Sequence, residues 1–257
     1  MRVLVTGAAG SLGRVACAGL RDLGHKVRGL DRVEAPTVDM VGDCLDRRAV
    51  ERAVDGAEAV VHLAGTPVED QLALELESHV LTTATLLDAM VVAGVRRMVY
   101  ASSNHAVGMH ESGGLLSADV RPRPDTFYGV AKVAAEATVS LYTDRHDISG
   151  IALRIGSFLP RPETMRQLAT WLSPADCVRM MHAALTAEVD GFAVLYGISA
   201  NTRAWWDLAP GRALGYDPQD DAEAFAAEVA AGPDDHAEGS RVGGPYAGPA
   251  FTRPSHP

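Results

Sequence analysis

The chain has 257 residues, of which 47% are hydrophobic and 22% charged, which suits one large α/β domain or one domain with a smaller lobe. A formal net charge of -10 repels phosphate backbones and anionic lipid heads, so we expect neither nucleic acid nor a membrane as a partner. Residues 1–5 run directly into a predicted strand, with no room for a signal peptide, and no apolar stretch approaches the roughly 20 residues that span a bilayer.

The first half of the chain alternates short β-branched runs with helical patterns, which is typical of βαβ units and a parallel sheet. The predicted strands are Arg2–Thr6, Lys26–Asp31, Thr37–Val41, Ala59–Ala64, Arg97–Ser102 and Ile151–Ile155. The predicted helices are Ser11–Leu23, Arg47–Val54, Leu72–Ala93 and Thr126–Asp144. Residues 1–156 are therefore predicted to form a Rossmann-type, doubly wound parallel sheet.

The pattern changes after Gly156 to loops and shorter elements. A helix over Pro174–Leu185, a strand over Ala193–Tyr196 and a helix over Asp220–Ala231 predict a small C-terminal substrate lobe at 157–231. Residues 232–257 hold five Gly and five Pro among mostly polar side chains, a composition that favours an irregular tail, either disordered or lying on a neighbouring subunit.

A glycine-rich turn follows the first predicted strand and opens the first predicted helix. In this turn, Gly7, Gly10, Ser11, Leu12 and Gly13 leave bare backbone that can approach a pyrophosphate, while the helix N-terminus supplies amides and a positive dipole. Glycine-rich turns also end many strands without binding anything, but the strand-turn-helix context favours a dinucleotide site.

The next strands supply side chains for the cofactor. Asp31 ends the second strand, where a carboxylate accepts the adenosine ribose hydroxyls and repels a 2′-phosphate, so NAD is favoured. Arg32 beside it leaves NADP open, because a guanidinium pairs with a 2′-phosphate. Asp43 is either an acceptor for the adenine amine or a solvated strand-end carboxylate. The small residues of Leu63-Ala64-Gly65 let the chain pass close to the cofactor.

Tyr128 and Lys132 lie one helical turn apart on the same predicted face. A cation beside a phenolate favours ionisation of the tyrosine, and the same lysine can hold a ribose hydroxyl. A chance YxxxK spacing remains the alternative. The chain has only two lysines, Lys26 and Lys132, against 21 arginines, so a generic surface cation here would be expected to be arginine.

Ser102-Ser103-Asn104-His105 ends the fifth predicted strand, at the edge where open α/β sheets bind ligands. A hydroxyl there can bond a reacting oxygen, although serine pairs at strand ends are often turn residues. His105 and His110 lack a third ligand with suitable spacing, so we expect no metal. The chain also has no GxSxG elbow for hydrolysis.

Thr6 to Gly13, Asp31, Ser103, Tyr128 and Lys132 together resemble the extended short-chain dehydrogenase/reductase family of the NAD-dependent epimerase/dehydratase type. The resemblance implies that Ser103, Tyr128 and Lys132 carry the chemistry. It also implies a cofactor shell that is completed by Cys44, Ser102 and Ile155.

A narrower resemblance is to uronate dehydrogenases. It is carried by Ala101–His105, Arg154–Ser157, Thr170–Ser173, Ser199–Asn201, Trp205–Asp207 and Asp220–Phe225. What it implies is oxidation of a hexuronic acid, glucuronate or galacturonate, at C1 to the aldarolactone, with Tyr128 as base and hydride passing to NAD. The substrate contacts it implies are Thr66, Ser103, Asn104, His105, Ser157 and Arg166. A guanidinium at Arg166 can grip a carboxylate through two parallel hydrogen bonds, although by itself Arg166 also fits a surface loop.

Two positions depart from this family pattern. The chain has Thr66-Pro67 where such enzymes carry a substrate-contacting serine, and His79 where many members have a helical asparagine. A nucleotide-sugar epimerase or reductase of the same fold and a non-catalytic NAD(P)-binding sensor stay open as alternatives.

Cys17, Cys44 and Cys177 are far apart and in no CxxC spacing, which favours reduced thiols in the cytoplasm. We also expect a homo-oligomer.

Overall fold

The computed structural model describes residues 1–232 and 240–252. Its strands are β1 (Arg2–Thr6), β2 (Lys26–Asp31), β3 (Met40–Val41), β4 (Ala59–His62), β5 (Arg97–Ser103), β6 (Ser149–Ile155), β7 (Ser157–Phe158), β8 (Trp171–Leu172) and β9 (Phe192–Gly197). Its α-helices are α1 (Ser11–Asp22), α2 (Arg47–Val54), α3 (Leu72–Glu75), α4 (Thr82–Ala93), α5 (Phe127–Arg145), α6 (Gln167–Thr170), α7 (Pro174–Thr186) and α8 (Ala209–Ala213). A π-helical turn, Leu76–Leu81, joins α3 to α4 without a break.

Seven parallel strands form the main sheet in the order β3-β2-β1-β4-β5-β6-β9. The order reverses direction between β1 and β4, so the carboxyl ends of these two strands open a crevice between diverging connections. The predicted Rossmann-type α/β fold is confirmed.

Helices cover both faces of the sheet, and the side-chain alternation along β1 explains why. Val3 and Val5 point to one face, where they pack with residues of α1 and α7, while Leu4 points to the other, where it packs with residues of α2 and α4. Successive strand residues face opposite sides, so a strand buried on both faces is apolar throughout.

Side-chain caps determine where several helices begin. Asp46 accepts hydrogen bonds from the backbone of Arg48 and Ala49 at the start of α2, and Thr126 accepts from Gly129 at the start of α5. These side chains satisfy amides that have no partner within the helix. The Thr126 cap positions the first turn of α5, which carries Tyr128.

Two predicted strands differ from the structure. The third is reduced to Met40–Val41, because the Asp39 carboxylate accepts the Gly29 amide at 2.8 Å in place of a strand carbonyl. The strand predicted at Ala193–Tyr196 is β9, which pairs with β6 at the edge of the main sheet and not within the lobe. Helix α7 is the crossover that returns the chain parallel to β6, so the sheet continues past the expected boundary at residue 156.

The C-terminal predictions also change. The helix predicted over Asp220–Ala231 is reduced to a 3-10 turn at Ala222–Phe225, because the amides of Ala226 and Glu228 donate to the carbonyls three residues back, Glu223 and Phe225, and not to those four residues back. Within the predicted tail, residues 240–252 pack on the same chain and contain a 3-10 turn at Gly244–Ala247. Residues 233–239 and 253–257 lie outside the described residues.

One helical segment contradicts the expectation that no apolar stretch reaches membrane-spanning length. Leu72–Ala93 has 22 residues and contains an 18-residue window with a mean hydropathy of 1.2, which by length and composition alone is enough to cross a bilayer. In the fold its inward side chains, including Leu86, Leu87 and Met90, belong to the core beneath the sheet. A core helix passes the same test, so this composition is explained by packing.

Candidate active site

The glycine-rich turn between β1 and α1 depends on close backbone contacts. Gly7 has a φ of +70°, and a Cβ on it would lie 2.7 Å from the Ala64 nitrogen. A Cβ on Gly13 would lie 2.0 Å from the Gly7 carbonyl oxygen. Only glycine fits at either position, so the helix N-terminus stays open to a ligand as the sequence predicts for a pyrophosphate.

The carboxylate of Asp31 is held at the end of β2 by two backbone amides. Ala9 N–H donates to Oδ2 at 2.9 Å and Val33 N–H donates to Oδ1 at 3.1 Å. Arg32 is largely exposed and lies 3.9 Å from Asp43, whose other oxygen accepts from the Leu45 amide. This pairing directs the guanidinium toward a carboxylate, which leaves Asp31 as the fixed acceptor at the strand end.

A cavity of about 440 Å³ runs along these groups at the carboxyl edge of the sheet. Most of the predicted cofactor residues line it: Gly7, Gly10, Ser11, Leu12, Gly13, Asp31, Arg32, Asp43, Cys44, Leu63, Ala64 and Gly65. Cys44 is buried, and burial raises the pKa of its thiol to about 12, so it serves as an apolar wall.

A second cavity of about 270 Å³ shares Ser11, Leu12 and Leu63 with the first and extends over the ends of β5 and β6. It is lined by the remaining predicted cofactor and catalytic residues, which are Ser102, Ser103, Tyr128, Lys132 and Ile155. The glycine-rich turn and the tyrosine-lysine pair therefore belong to one continuous crevice.

Lys132 is buried beside Tyr128. Its Nζ donates to the Ala101 carbonyl at 2.7 Å and lies 5.3 Å from the centre of the Tyr128 ring. Burial lowers the pKa of Lys132 to about 7, while Glu75 and Glu136 oppose that change. Burial raises the pKa of Tyr128 to about 12, and a hydrogen bond with Ser103 opposes the rise.

The direction of the Tyr128 shift is the opposite of the expected effect of a neighbouring cation. Tyr128 and Lys132 share one desolvated pocket, and desolvation disfavours the charged form of each group. A phenolate there needs stabilisation beyond that which the lysine supplies.

Ser103 is placed at the end of β5, where its hydroxyl accepts from the His105 amide at 3.2 Å. Ser102 donates its hydroxyl to Glu136 at 2.5 Å. Glu136 also receives two hydrogen bonds from Arg154, at 3.0 and 2.8 Å. The two serines of the pair therefore differ: Ser103 faces the tyrosine, and Ser102 joins a buried ion pair.

Asn104 and His105 occupy the 3-10 turn that follows β5. His105 Nδ1 lies 2.9 Å from Asp125 Oδ2, which fixes this nitrogen as the donor and directs Nε2 toward the solvent side. The His105 ring lies 5.8 Å from the Tyr128 ring. Asn104 is buried, and its amide lies 3.3 Å from the Val242 carbonyl.

Three further predicted substrate residues have partners within the chain. Thr66 Oγ1 lies 3.1 Å from the Ser78 hydroxyl, and Ser157 Oγ lies 2.8 Å from Thr170 Oγ1. Arg166 Nη2 donates to the Val242 carbonyl at 2.5 Å. With its amide turned by 180°, Asn104 accepts from the same Arg166 nitrogen at 3.2 Å, so these two side chains lie together.

Two site neighbours were not found from the sequence. Glu69 accepts from the amides of Phe127 and Tyr128 at 2.9 and 2.8 Å, so it caps the helix that carries the tyrosine. Tyr246 packs edge-to-face on His105, with ring centres 5.1 Å apart. Neither contact has a local sequence pattern, because each joins residues more than 50 positions apart.

Among residues 1–232 and 240–252, no three His, Cys, Asp or Glu side chains converge in a geometry that suits a metal ion. The crevice instead presents open amides, a fixed carboxylate and a phenol beside an amine. That donor set matches a dinucleotide and a hydroxyl substrate in chemical character.

Comparison with known proteins gives relatives over almost the whole chain. A uronate dehydrogenase from Pseudomonas syringae pv. tomato is 38% identical, over 90% of this chain and 86% of that protein. An NAD-dependent glucose-6-phosphate dehydrogenase from Haloferax volcanii is 37% identical, over 88% and 96%. A mutant uronate dehydrogenase from Agrobacterium tumefaciens, solved in complex with NAD, superimposes with a TM-score of 0.90 at 35% identity, over 98% and 99%.

The family comparison agrees with these relatives. Residues 3–162 match the model of the NAD dependent epimerase/dehydratase family, a span that runs from β1 through the end of β6 and includes the glycine-rich turn, Ser103, Tyr128 and Lys132. The family predicted from these residues is confirmed. This chain belongs to the NAD dependent epimerase/dehydratase family.

Proposed function

We propose that this protein oxidises a hexuronic acid, glucuronate or galacturonate, at C1 to the aldarolactone with NAD as hydride acceptor. The observation that carries the proposal is the single crevice in which the glycine-rich turn adjoins Ser103, Tyr128 and Lys132. The uronate dehydrogenases among the relatives support the substrate class.

NAD fits the first cavity because the turn has backbone where any side chain at Gly7 or Gly13 would collide. Asp31 would take the adenosine ribose hydroxyls, and Lys132 a hydroxyl of the second ribose. When bound, NAD supplies the hydride acceptor and a positively charged ring. A positive charge beside Tyr128 favours its phenolate, which is the stabilisation that the buried lysine alone does not provide.

The reaction then needs one proton acceptor at the substrate oxygen. Tyr128 Oη takes the C1 hydroxyl proton, and the Ser103 hydroxyl bonds the same oxygen and holds it near the phenol. Lys132, anchored on the Ala101 carbonyl, keeps a positive charge against the phenolate. Loss of the proton and of the C1 hydride leaves the lactone carbonyl.

Recognition of an acidic sugar would come mainly from residues that follow β5 and β6, next to the two cavities and outside their lining. Arg166 binds the carboxylate through its guanidinium, next to Asn104. His105, with its Nδ1 held by Asp125, presents Nε2 to a sugar hydroxyl. Thr66 and Ser157 complete the polar rim.

The relatives also name a glucose-6-phosphate dehydrogenase, so a neutral or phosphorylated aldose is the alternative substrate. Purified protein mixed with NAD and either uronate is expected to produce NADH, measured by its absorbance. NADH production from glucose or glucose-6-phosphate, with none from either uronate, would identify the aldose as the substrate. The same screen with NADP measures cofactor preference, and we expect NAD to be favoured because Asp31 is fixed at the strand end.

We further propose that the protein acts in the cytoplasm as a homo-oligomer. Cys17, Cys44 and Cys177 are free thiols in the structure, which suits a reducing compartment. Leu81, on the helical segment 72–93, and Leu141, on α5, are each about half exposed, so both side chains are accessible to a second copy. Light scattering of the purified protein measures the subunit number.

A further inference from the structure

The helical segment 72–93 changes its winding beside the catalytic pair. The π turn Leu76–Leu81 inserts a wider turn between α3 and α4. Thr83 donates its hydroxyl to the His79 carbonyl, and Thr82 donates to the Ser78 carbonyl, which stabilises backbone that the wide turn leaves without a regular helical partner. Single π turns of this kind are frequent at functional sites. Here the turn places both Glu75 and His79 inward.

The two departures from the family pattern are in direct contact. His79 Nε2 lies 3.1 Å from the Thr66 carbonyl. A Cβ on Gly65 would lie 2.3 Å from the His79 ring, so the ring fills the space beside that glycine. The change to histidine and the Thr66-Pro67 loop therefore form one packing unit, which lines the same cavity as Tyr128 and Lys132.

The surroundings of His79 determine its tautomer. Nε2 faces two acceptors, the Thr66 carbonyl and Glu75 Oε2 at 3.3 Å, so Nε2 carries the hydrogen. Burial and the charge of Lys132 lower the pKa of His79 to about 2, so the ring is neutral. Nδ1 is then a buried acceptor with no hydrogen-bond partner among the described residues. The ring packs edge-to-face on Tyr128, with centres 5.1 Å apart.

Lys132 is surrounded by ionisable groups from four elements. These are Glu75 and His79 from the helical segment 72–93, Tyr128 and Glu136 from α5, Tyr100 from β5 and His62 from β4. Glu136 is already paired through both oxygens with Arg154. Glu75 is completely buried, and its charge raises the pKa of Lys132.

We propose that Glu75 and His79 form a buried dyad that positions the catalytic pair. Glu75 supplies a negative charge that favours the ammonium form of Lys132 and, together with the Thr66 carbonyl, favours a hydrogen on His79 Nε2. His79 supports the Tyr128 ring and holds the Thr66 loop. Both are positioning residues, and their effect on turnover rests on the proposed oxidation by Tyr128.

Charge and position are separated by two kinds of variant. Glu75→Gln keeps an acceptor for the Asp70 amide but removes a negative charge. In the kcat-pH profile, the rising limb reports deprotonation of Tyr128, the base, and the falling limb reports deprotonation of Lys132. Because Glu75 raises the pKa of both groups, its loss is expected to move both limbs to lower pH, by about one unit.

His79 is neutral, so its replacement leaves both limbs in place and changes the plateau instead. His79→Phe is expected to lower kcat about tenfold, the effect of losing a hydrogen bond of roughly 1.4 kcal/mol. His79→Asn, which places a polar amide at this position, is expected to lower kcat much less than His79→Phe does. Asp144→Asn, which removes an exposed carboxylate from α5, is the control and keeps the parent profile.

The proposal is overturned if Glu75→Gln folds and binds NAD as the parent does but leaves both limbs unmoved. It is overturned equally if His79→Phe keeps the parent plateau. If the parent oxidises no sugar, the proposed function fails separately, and the dyad is tested by the pKa of Tyr128. This pKa is measured from tyrosinate absorbance, as the difference between titrations of proteins with and without the Tyr128→Phe change. Glu75→Gln must lower the Tyr128 pKa, and an unchanged pKa rejects the dyad.

Discussion

Replacing Arg154 by methionine tests how the protein stabilises the sheet beneath the catalytic serines. Arg154 is 3% exposed and donates to Glu136 through two nitrogens, at 3.0 and 2.8 Å, and to the Ala118 carbonyl at 3.0 Å. Glu136 is 6% exposed, and in the variant it loses both hydrogen bonds from Arg154 and keeps the one from the Ser102 hydroxyl. An uncompensated buried carboxylate costs about 3–5 kcal/mol of the free energy of unfolding.

Thermal and urea unfolding measure this change. For a chain of this size, each kcal/mol lowers Tm by roughly 2–4 °C, so Arg154→Met is expected to lower Tm by about 6–20 °C. The double variant Arg154→Met with Glu136→Leu removes both charges. It is expected to be more stable than Arg154→Met, because the second change removes the buried carboxylate that the first leaves unpaired.

Two results would show that Arg154 does not stabilise the buried Glu136. One is a single variant that loses less than about 1 kcal/mol, which would mean that water or another group reaches Glu136. The other is a double variant whose loss of unfolding free energy equals the sum of the losses in Arg154→Met and in Glu136→Leu alone. That result would mean that the two side chains do not interact energetically.

Three other variants test the crevice itself. Tyr128→Phe is expected to lower kcat by about 10²- to 10⁴-fold while NAD binding, measured by calorimetry, stays near that of the parent; an active variant removes Tyr128 as the base. Gly13→Ala is expected to abolish NAD binding, because the Cβ would lie 2.0 Å from the Gly7 carbonyl, and unchanged NAD affinity contradicts the turn assignment. Asp31→Asn is expected to raise kcat/KM with NADP relative to NAD, since the repelling charge is gone; an unchanged ratio means that another group selects the cofactor.

The sequence predicted the main sheet well because its information is local. Gly7 and Gly13 follow an apolar strand at a spacing that only a tight strand-turn-helix satisfies, and the apolar strands predict burial on both faces. The strand at Ala193–Tyr196 was recognised but misplaced, because residue pattern does not reveal which strand is its neighbour. The helix expected from Asp220 was wrong because the amides of Ala226 and Glu228 bond to carbonyls three residues back, and the spacing of apolar residues does not separate that pattern from an α-helix.

The sequence predicted only part of the chemistry of the site, because burial and long-range contacts also determine it. Tyr128 and Lys132 share a helix, so their spacing predicts their contact, but the pKa of each depends on burial that the sequence does not quantify. Glu75 resembles any solvated helical carboxylate, although its spacing of four residues from His79 is a signal that could have been used. Tyr246 reaches the site through long-range packing alone.

Oxidation of an acidic sugar in the crevice is measured by the ratio of kcat/KM for glucuronate to kcat/KM for glucose, both with NAD. A charge-assisted bond from Arg166 to the carboxylate, at about 1.5–3 kcal/mol, predicts a preference for the uronate of roughly 10- to 150-fold. Arg166→Met is expected to remove most of this preference. Equal kcat/KM values for the two sugars, or a higher value for glucose, would mean that the crevice does not recognise the carboxylate.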